Sequence, residues 1–402
     1  RQTISLFILC ILWFFSCKSL NCFKSFAHKV HDLAAQTDAY LKLPYLNSIL
    51  PIIGILLTVF VVKKFLDGTI EKGTSQIMIA VAKKSGIMPR KQMYAQIITS
   101  SLTVGMGGSA GLESPITITG AAFGSNFAQN YRLNYKDRTL LLACGVAAGI
   151  AAAFNAPIAG VLFAIEVILA DMSVTAFIPI MISSATGAIV SNVILKDSIL
   201  LSFKKQLTFS YDNTIYYVLI GIVTGLFAVY HARMFRRVEH KMAHLKLSPY
   251  KKAFIGSSML AILIFLFPTL FGEGYESIKS LANDKASLIL ENSLIENFKK
   301  NQWVVLLFVT LTVFLKSIAT GLTLGSGGNG GNFAPSLFVG SYLGYIVSKL
   351  ISISGLKELP INNFTIVGMA GVLSGLFHAP LTAIFLIAEI TGGYGLMVPL
   401  LI

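Results

Sequence analysis

Residues 101–124 read SLTVGMGGSAGLESPITITGAAFG, and residues 321–344 read GLTLGSGGNGGNFAPSLFVGSYLG. The two segments align without a gap and lie 220 residues apart. A repeated apolar segment that glycine and proline interrupt at the same place indicates a transporter with its binding site at the interface of two repeats. The identical pairs are Leu102/Leu322, Thr103/Thr323, Gly105/Gly325, Gly107/Gly327, Gly108/Gly328, Gly111/Gly331, Pro115/Pro335, Gly120/Gly340 and Gly124/Gly344.

A second motif follows each copy. Phe154–Pro157 reads FNAP and has Glu166 nine residues after its proline, and Phe377–Pro380 reads FHAP and has Glu389 at the same spacing. A proline fits the first turn of a helix because its missing N–H would have no partner there. The prolines of both motifs therefore mark predicted helix starts, and the two glutamates are predicted to cap or pair at helix ends.

The composition is that of a membrane protein. Apolar residues make up 54% of the chain and charged residues 12%, with a mean hydropathy of +0.73, far from the balance of a soluble domain. Some apolar runs reach the ~20 residues that cross a bilayer, and others are shorter and rich in glycine. The predicted fold class is an all-α polytopic membrane protein with two inverted-topology repeats of full and partial helices. The apolar runs are 49–62, 139–153, 176–195, 215–229, 253–271, 303–315 and 366–376.

The repeats divide the chain. Residues 1–195 are the predicted first membrane repeat, 196–213 a polar linker and 214–402 the second repeat. The chain begins with Arg1 and stops within an apolar run, so both ends are interpreted as cut, with the last helix of the second repeat missing. Ile4–Phe15 is interpreted as part of the first membrane helix, because no small-residue cleavage site follows it.

The net charge of +14 does not indicate nucleic acid binding. Basic residues lie at the ends of apolar runs, as in Lys63-Lys64, which is the pattern of cytoplasmic loops beside anionic lipid headgroups. No basic motif interleaved with aromatic residues is present. No metal site and no cofactor are predicted, because the cysteines lack metal-ligand spacing and are interpreted as packing residues. They are Cys10, Cys17, Cys22 and Cys144.

Gly111–Pro115 and Gly331–Pro335 are each predicted to present unpaired backbone N–H groups at a helix start. Such a start carries about half a positive charge, so it binds anions without a full cation. Glu113 lies in an apolar, glycine-rich stretch, and a carboxylate within the membrane is functional by default. It is predicted to occupy the donors that an anion would use and to leave them when protonated. The simpler alternative is a carboxylate that only caps its own helix.

Three motifs resemble the signatures of the CLC family of chloride channels and transporters. They are Gly111–Pro115, Gly149–Glu166 and Gly330–Gly344, and Phe377–Pro399 is similar to the penultimate membrane helix of that family. The resemblance begins near Ser48 and continues nearly to the end of the chain. It implies an antiparallel helical subunit with one anion pathway, in a homodimer whose subunits conduct separately.

The same resemblance implies which residues form the pathway. Glu113 is the implied gate, and backbone amides near Phe333 and Ala334 are implied to line the central anion site. The implied anion-binding residues are Gly111, Leu112, Ser114, Gly331, Asn332, Phe333, Ala334, Lys72, Thr74 and Ser75.

The first anion motif of the family, usually Gly-Ser-Gly-Ile-Pro, is replaced here by Glu71-Lys72-Gly73-Thr74-Ser75. Lys72 stands where the anion-binding serine is expected, and it would attract anions, slow their exit or extend to the cytoplasmic mouth. Thr74 or Ser75 would be the alternative source of a hydroxyl, and a solvated vestibule lysine is the simpler interpretation. Because Lys72 changes this motif, fluoride stays open beside chloride.

Further departures concern the mechanism. Val167 stands where proton-coupled exchangers of the family usually carry an internal glutamate, and Leu112 and Ser114 replace a basic residue and a glycine beside the gate. The tyrosine that normally completes the central site belongs to the last helix and cannot be assigned. Val167 favours channel-like conduction of chloride, with proton-coupled chloride exchange as the alternative.

Other interpretations are weaker. An intramembrane serine hydrolase is a remote alternative, because Ser374 and His378 lie one turn apart on one helix rather than on separate elements. The chain is predicted not to be an enzyme but a multi-pass protein of the plasma (inner) membrane. His231 is interpreted as solvated surface, and Glu273–Gln302 as an amphipathic or loop segment between spans.

Overall fold

A computed structural model describes residues 46–66, 68, 72–169, 174–195, 209–290 and 293–402. The predicted first helix, three of the four cysteines and most of the predicted linker lie outside these ranges. The described part is helical, as the composition predicts. Cys144 is buried within a helix, where it packs as a small apolar side chain.

The helices follow one another in the same order in each half, so that α1 to α6 recur as α9 to α14. The first half contains α1 Leu50–Phe65, α2 Ser75–Lys83, α3 Gln92–Gly105, α4 Glu113–Asn130, α5 Tyr135–Phe154, α6 Pro157–Phe163 and α7 Val174–Leu195. The second contains α8 Thr214–His244, α9 Pro249–Leu266, α10 Tyr275–Ala282, α11 Gln302–Gly325, α12 Phe333–Ile353, α13 Ile361–Phe377, α14 Pro380–Ile390 and α15 Met397–Leu401.

Matched helices also end in the same way. α5 ends at Asn155 and α13 at His378, and both residues adopt the left-handed conformation, with φ of 54° and 53°. One left-handed residue stops a helix and redirects the chain. In both halves an Ala-Pro pair follows at once and starts the next helix, α6 or α14. The predicted helix starts at the second motif are therefore present.

Small residues let the helix pairs α4/α5 and α12/α13 pack closely. A Cβ at Gly124 would collide with the Leu141 carbonyl, and one at Gly344 would collide with the Phe364 carbonyl. Close backbone approach at small residues is the usual way in which membrane helices associate. The glycines that the two copies share thus place α4 and α12 inside the molecule, where nearly all their residues are buried.

Full and partial helices coexist, as predicted. Among the described residues, six helices are long and apolar enough to cross a membrane, namely α5, α7, α8, α9, α11 and α12. The apolar helices α13 and α14 are shorter, and so is the segment that α6 begins. The described part is a bundle of full and partial helices, and the partial helices α4 and α12 begin in the interior.

Candidate functional site

The two copies of the first motif meet directly. The Gly111 amide donates to the Gly331 carbonyl at 2.9 Å, and the Gly331 amide donates to the Gly111 carbonyl at 2.7 Å, in an antiparallel bridge. A Cβ at Gly111 would meet Ala334, and one at Gly331 would meet Ser114. Only glycine allows this approach, and it brings the starts of α4 and α12 together from opposite directions.

Crossed threonines hold the same two loops. The Ser109 amide donates to Thr323 Oγ1 at 3.1 Å, and the Asn329 amide donates to Thr103 Oγ1 at 3.0 Å. Both threonines are fully buried. Each repeat thus supplies the acceptor for the loop of the other, and the motifs stay in register across the interface.

The starts of α4 and α12 present unsatisfied donors. Within the described ranges, the amides of Ser114, Phe333 and Ala334 donate to no protein group, and helical bonding begins only at Ile116 and Ser336. The positive end of each helix dipole faces the same place. Aligned amides without a protein acceptor suit a small anion.

The starts of α6 and α14 are filled. Glu389 accepts from the amides of Ile158 and Ala159 at 3.0 and 2.8 Å. Glu166 accepts from the Leu381 amide at 3.2 Å and from the amide and hydroxyl of Thr382 at 2.8 and 2.7 Å. The matched glutamates do cap helices, as predicted, but each caps a helix of the opposite repeat. The proline-marked starts are therefore not equivalent.

Glu113 is the first residue of α4, and its side chain is 4% exposed. Its Oε1 accepts a hydrogen bond from the Tyr275 hydroxyl at 2.6 Å. A Cβ built on Gly111 would meet both Glu113 Oε2 and the Ala334 amide nitrogen, the latter at 3.0 Å. The carboxylate therefore lies between the two helix starts, where a gate would have to stand.

A short segment after α9 covers this carboxylate. The Gly272 amide donates to the Gly107 carbonyl at 3.1 Å, and Glu273 Oε1 accepts from the Leu112 amide at 3.0 Å. Tyr275, which opens α10, completes the contact through Glu113. The sequence predicts only an amphipathic or loop segment over Glu273–Gln302, and it does not indicate these contacts with the start of α4. The signal was the repeat itself, because α10 corresponds to α2.

Phe333, the counterpart of Glu113, packs among aromatic rings. Its ring centroid lies 5.4 Å from that of Phe154, 5.2 Å from that of Phe377 and 6.3 Å from that of Phe163. Phe154 and Phe377 are the matched phenylalanines of the second motif. Apolar packing thus fixes the α12 start, where α4 has a carboxylate.

His231 on α8 is fully buried, so its interpretation as solvated surface is wrong. Its Nε2 lies 2.8 Å from Asn332 Oδ1, and its Nδ1 lies 2.7 Å from Ser317 Oγ. Because an amide oxygen only accepts, Nε2 carries the hydrogen and Nδ1 accepts from the serine. The basic residues around His231 resemble a polar surface, but α8 continues through them and turns this residue inward.

The sequence profile of the family described as voltage gated chloride channel matches residues 54–402. The chain belongs to the CLC family. It is 27% identical to a putative ClcB-like chloride channel protein of Ralstonia nicotianae, over 82% of this chain and 74% of that protein. It is 29% identical to the voltage-gated ClC-type chloride channel ClcB of Escherichia coli, over 76% of this chain and 69% of that protein.

Solved CLC structures share the fold. A slow cyanobacterial Cl−/H+ antiporter superimposes with a TM-score of 0.78 and 24% identity, over 100% of this chain and 90% of that one. A CLC-type fluoride/proton antiporter superimposes with a TM-score of 0.73 and 23% identity, over 99% and 91%. The architecture of two inverted repeats around a central site is therefore that of CLC proteins.

The replaced first CLC motif lies apart from the Gly111–Gly331 bridge. Lys72 Nζ donates to the Leu324 carbonyl at 2.9 Å, at the C-terminal end of α11. Desolvation lowers the pKa of this loop lysine to about 8, opposed by the charge of Glu239. Thr74 occupies the N-cap position of α2 without capping it through its side chain, and Ser75 is exposed. Within the described residues, no hydrogen bond joins any of the three to the bridge.

Val167, where CLC exchangers usually carry a glutamate, belongs to a single π turn, Ala164–Ile168, and packs against the apolar core. The neighbouring carboxylate, Glu166, is committed to the start of α14. Position 167 therefore has no titratable side chain, and the Glu166 carboxylate is bound to the start of α14.

Proposed function

We propose that this CLC protein moves chloride, or a similar small anion, along a path lined by the starts of α4 and α12. The observation that carries the proposal is the buried Glu113 carboxylate beside amides that have no protein acceptor. The relatives from Ralstonia nicotianae and Escherichia coli are named as chloride channels, which supports chloride as the anion. We further propose a homodimer in the plasma (inner) membrane, with one pathway in each subunit.

The mechanism we propose is competition. The ionised Glu113 carboxylate and the anion require the same positive helix ends, so only one of them occupies the place at a time. When Glu113 is protonated, it loses the charge that holds it there, and the anion replaces it. The anion sheds only part of its water, because backbone amides bind it through partial charges.

We favour channel-like conduction within this function. Val167 cannot carry a proton, and Glu166 accepts three hydrogen bonds from the start of α14. These three hydrogen bonds fix the Glu166 carboxylate in one position at the start of α14. A proton route from this part of the molecule to Glu113 then has no carboxylate at position 167 to relay the proton.

Proton-coupled exchange of chloride is the second candidate. The solved structures with this fold are described as chloride/proton and fluoride/proton antiporters. Glu113 is itself protonatable, and its carboxylate already accepts a hydrogen bond from the Tyr275 hydroxyl. Protons would then reach the gate through water rather than through a second carboxylate.

Chloride efflux from reconstituted liposomes, with external pH recorded at the same time, tests both forms. The parent protein, Glu113→Gln and a control, Glu358→Gln, whose side chain is exposed, are compared. We expect chloride flux without linked proton movement in the parent and the control, and flux that no longer depends on pH in Glu113→Gln. Proton movement against its gradient that Glu113→Gln abolishes would establish the exchanger. Absence of anion flux in the parent would refute transport.

A further inference from the structure

The segment 272–275, called here the clamp, is bound to the first-repeat motif at three successive points. Gly272 bonds to Gly107, Glu273 to the Leu112 amide and Tyr275 to Glu113, at 3.1, 3.0 and 2.6 Å. Among the described residues the second motif is held differently, by His231 at Asn332 and by an aromatic cluster around Phe333. The clamp thus touches the gate and the helix start that the gate competes for.

We propose that the clamp sets how readily the gate opens, with Tyr275 as the donor that holds the Glu113 carboxylate in place and Glu273 as a second carboxylate that competes with the anion. This proposal rests on the proposed anion transport and names two residues that regulate the same site. Tyr275 is a positioning residue, because it acts through Glu113. Glu273 acts on the anion itself, through the amide that both would use.

The hydrogen bond of Tyr275 has a direction that decides its effect. An ionised carboxylate only accepts, so the hydroxyl donates to Glu113. A donor stabilises the ionised gate over the protonated one, and bonds to charged groups are the stronger kind. Tyr275 is buried, so water does not readily replace it in this role. The clamp therefore favours the closed gate.

Glu273 occupies a donor that belongs to the anion path. The Leu112 amide immediately precedes the first residue of α4, and it points to the Glu273 carboxylate at 3.0 Å. Two negative charges cannot share one amide at close range, since they repel each other strongly in a poorly hydrated interior. An anion that reaches this end of α4 must displace Glu273 or bind more weakly.

A buried lysine also binds the clamp. Lys316 on α11 is fully buried, donates to the Gly272 carbonyl at 3.1 Å and lies 4.7 Å above the ring of Phe338. The charge of Glu273 acts favourably on this ammonium. A buried cation requires nearby acceptors and a counter-charge, and the clamp supplies both. The charged and titratable side chains around the gate are therefore Tyr275 and Glu273 on the clamp and Lys316 on α11, with His231 on α8 behind the start of α12.

The test of Tyr275 is a double-mutant cycle measured as chloride efflux from liposomes. Tyr275→Phe removes only the hydroxyl, and we expect efflux at pH 7 to rise about tenfold, the effect of one hydrogen bond to a charged group. The acid-dependent increase in efflux should begin at a higher pH. In a Glu113→Ala background, Tyr275→Phe should change efflux less than about twofold, because its acceptor is gone.

Glu273→Gln tests whether the Glu273 carboxylate competes with the anion. Glutamine keeps an oxygen for the Leu112 amide but removes the charge, so we expect the half-saturating chloride concentration to fall about threefold at unchanged maximal flux. The matched control is Glu276→Gln, three residues later at the start of α10, whose carboxylate pairs at the surface with Lys279. The control should leave both quantities unchanged.

The outcomes separate this proposal from the proposed function. Equal loss of efflux from Tyr275→Phe in both backgrounds would show that the tyrosine only supports the fold and would overturn the clamp. Unchanged chloride dependence in Glu273→Gln would overturn the role of the second carboxylate. Absence of chloride flux in the parent protein would instead refute anion transport itself.

Discussion

The molecule contains two kinds of proline-marked helix start, and they differ in what stands opposite them. At α6 and α14 a glutamate from the other repeat accepts the first amides. At α4 and α12 no protein acceptor serves the amides of Ser114, Phe333 and Ala334 within the described chain. A proline near the start and the helix dipole are common to both kinds. On the mechanism we propose, a helix start binds an anion only where no fixed carboxylate of the protein accepts its amides.

The largest effect on chloride efflux should come from placing a carboxylate at the start of α12. Phe333→Glu would place a carboxylate at its first residue, as Glu113 does in α4, and we expect chloride efflux at pH 7 to fall at least tenfold, because two carboxylates then compete with the anion. Efflux should recover in acid. The measurement is efflux from liposomes between pH 4.5 and about 7.5.

Phe333→Gln is the matched control for this substitution. The residue packs against three other rings, so either change disturbs the core. Glutamine has the size of glutamate but no titratable proton. Glu113 still titrates in both variants, so acid should raise efflux more in Phe333→Glu than in Phe333→Gln; an equal increase in the two would show that packing rather than charge closes the path.

Removing the glutamate that caps a helix start should lower the stability of the protein. Glu389→Ala removes the acceptor of the Ile158 and Ala159 amides, and we expect a loss of about 1–3 kcal/mol in the free energy of unfolding, because unsatisfied helix-start donors and a lost cap each contribute. Thermal unfolding of the detergent-purified protein measures it. Glu358→Ala, at an exposed position, should leave the midpoint unchanged. An equal decrease in both variants would contradict the capping role.

A smaller effect on chloride binding should follow from removing the hydrogen bond between His231 and Asn332. His231→Leu removes the donor to Asn332 Oδ1, and we expect the half-saturating chloride concentration to change about threefold, in keeping with one neutral hydrogen bond. The same change in an Asn332→Ala background should have no effect. Efflux measured over a range of chloride concentrations gives both values. A change of the same size in both backgrounds would assign His231 to packing alone.

The smallest effect concerns Lys72, which lies away from the bridge. Its pKa of about 8 means that the ammonium is charged below that pH and loses its charge as pH rises through it. If the charge draws anions to the mouth, efflux should fall about twofold between pH 7 and pH 9, and Lys72→Ser should abolish that fall. Raising the salt concentration should weaken the effect in the parent protein. A pH dependence that Lys72→Ser retains would leave the lysine as a structural partner of Leu324.

The sequence predicted the fold because the fold depends on local features, and it predicted Glu113 as the gate, which stays a prediction. Gly111 and Pro115 restrict the backbone wherever they occur, and their duplication gave the two repeats. Glu113 was apparent as an isolated carboxylate in an apolar stretch. The family assignment and the membrane fold are confirmed by the comparisons, while the predicted anion-binding residues and the division into 1–195, 196–213 and 214–402 stay predictions.

The residues that sequence reasoning missed come from distant parts of the chain. Glu273 and Tyr275 lie more than 150 residues after the gate and resemble the polar end of a loop. His231 lies among basic residues, so its local pattern indicates solvent although α8 turns it into the core. Their partners are fixed only when helices of both repeats have packed, and no periodicity within one segment contains that information.

The crossed threonines have a consequence for biosynthesis. The Ser109 amide finds its acceptor on Thr323, more than 200 residues later, so the first repeat leaves the ribosome with its central loop unsatisfied. Domains generally acquire structure in the order of synthesis, but this loop must wait for α11. An insertion intermediate that contains only the first half therefore exposes polar backbone that lipid cannot satisfy. Chaperones or the translocon would have to keep that half away from lipid until the second repeat is inserted.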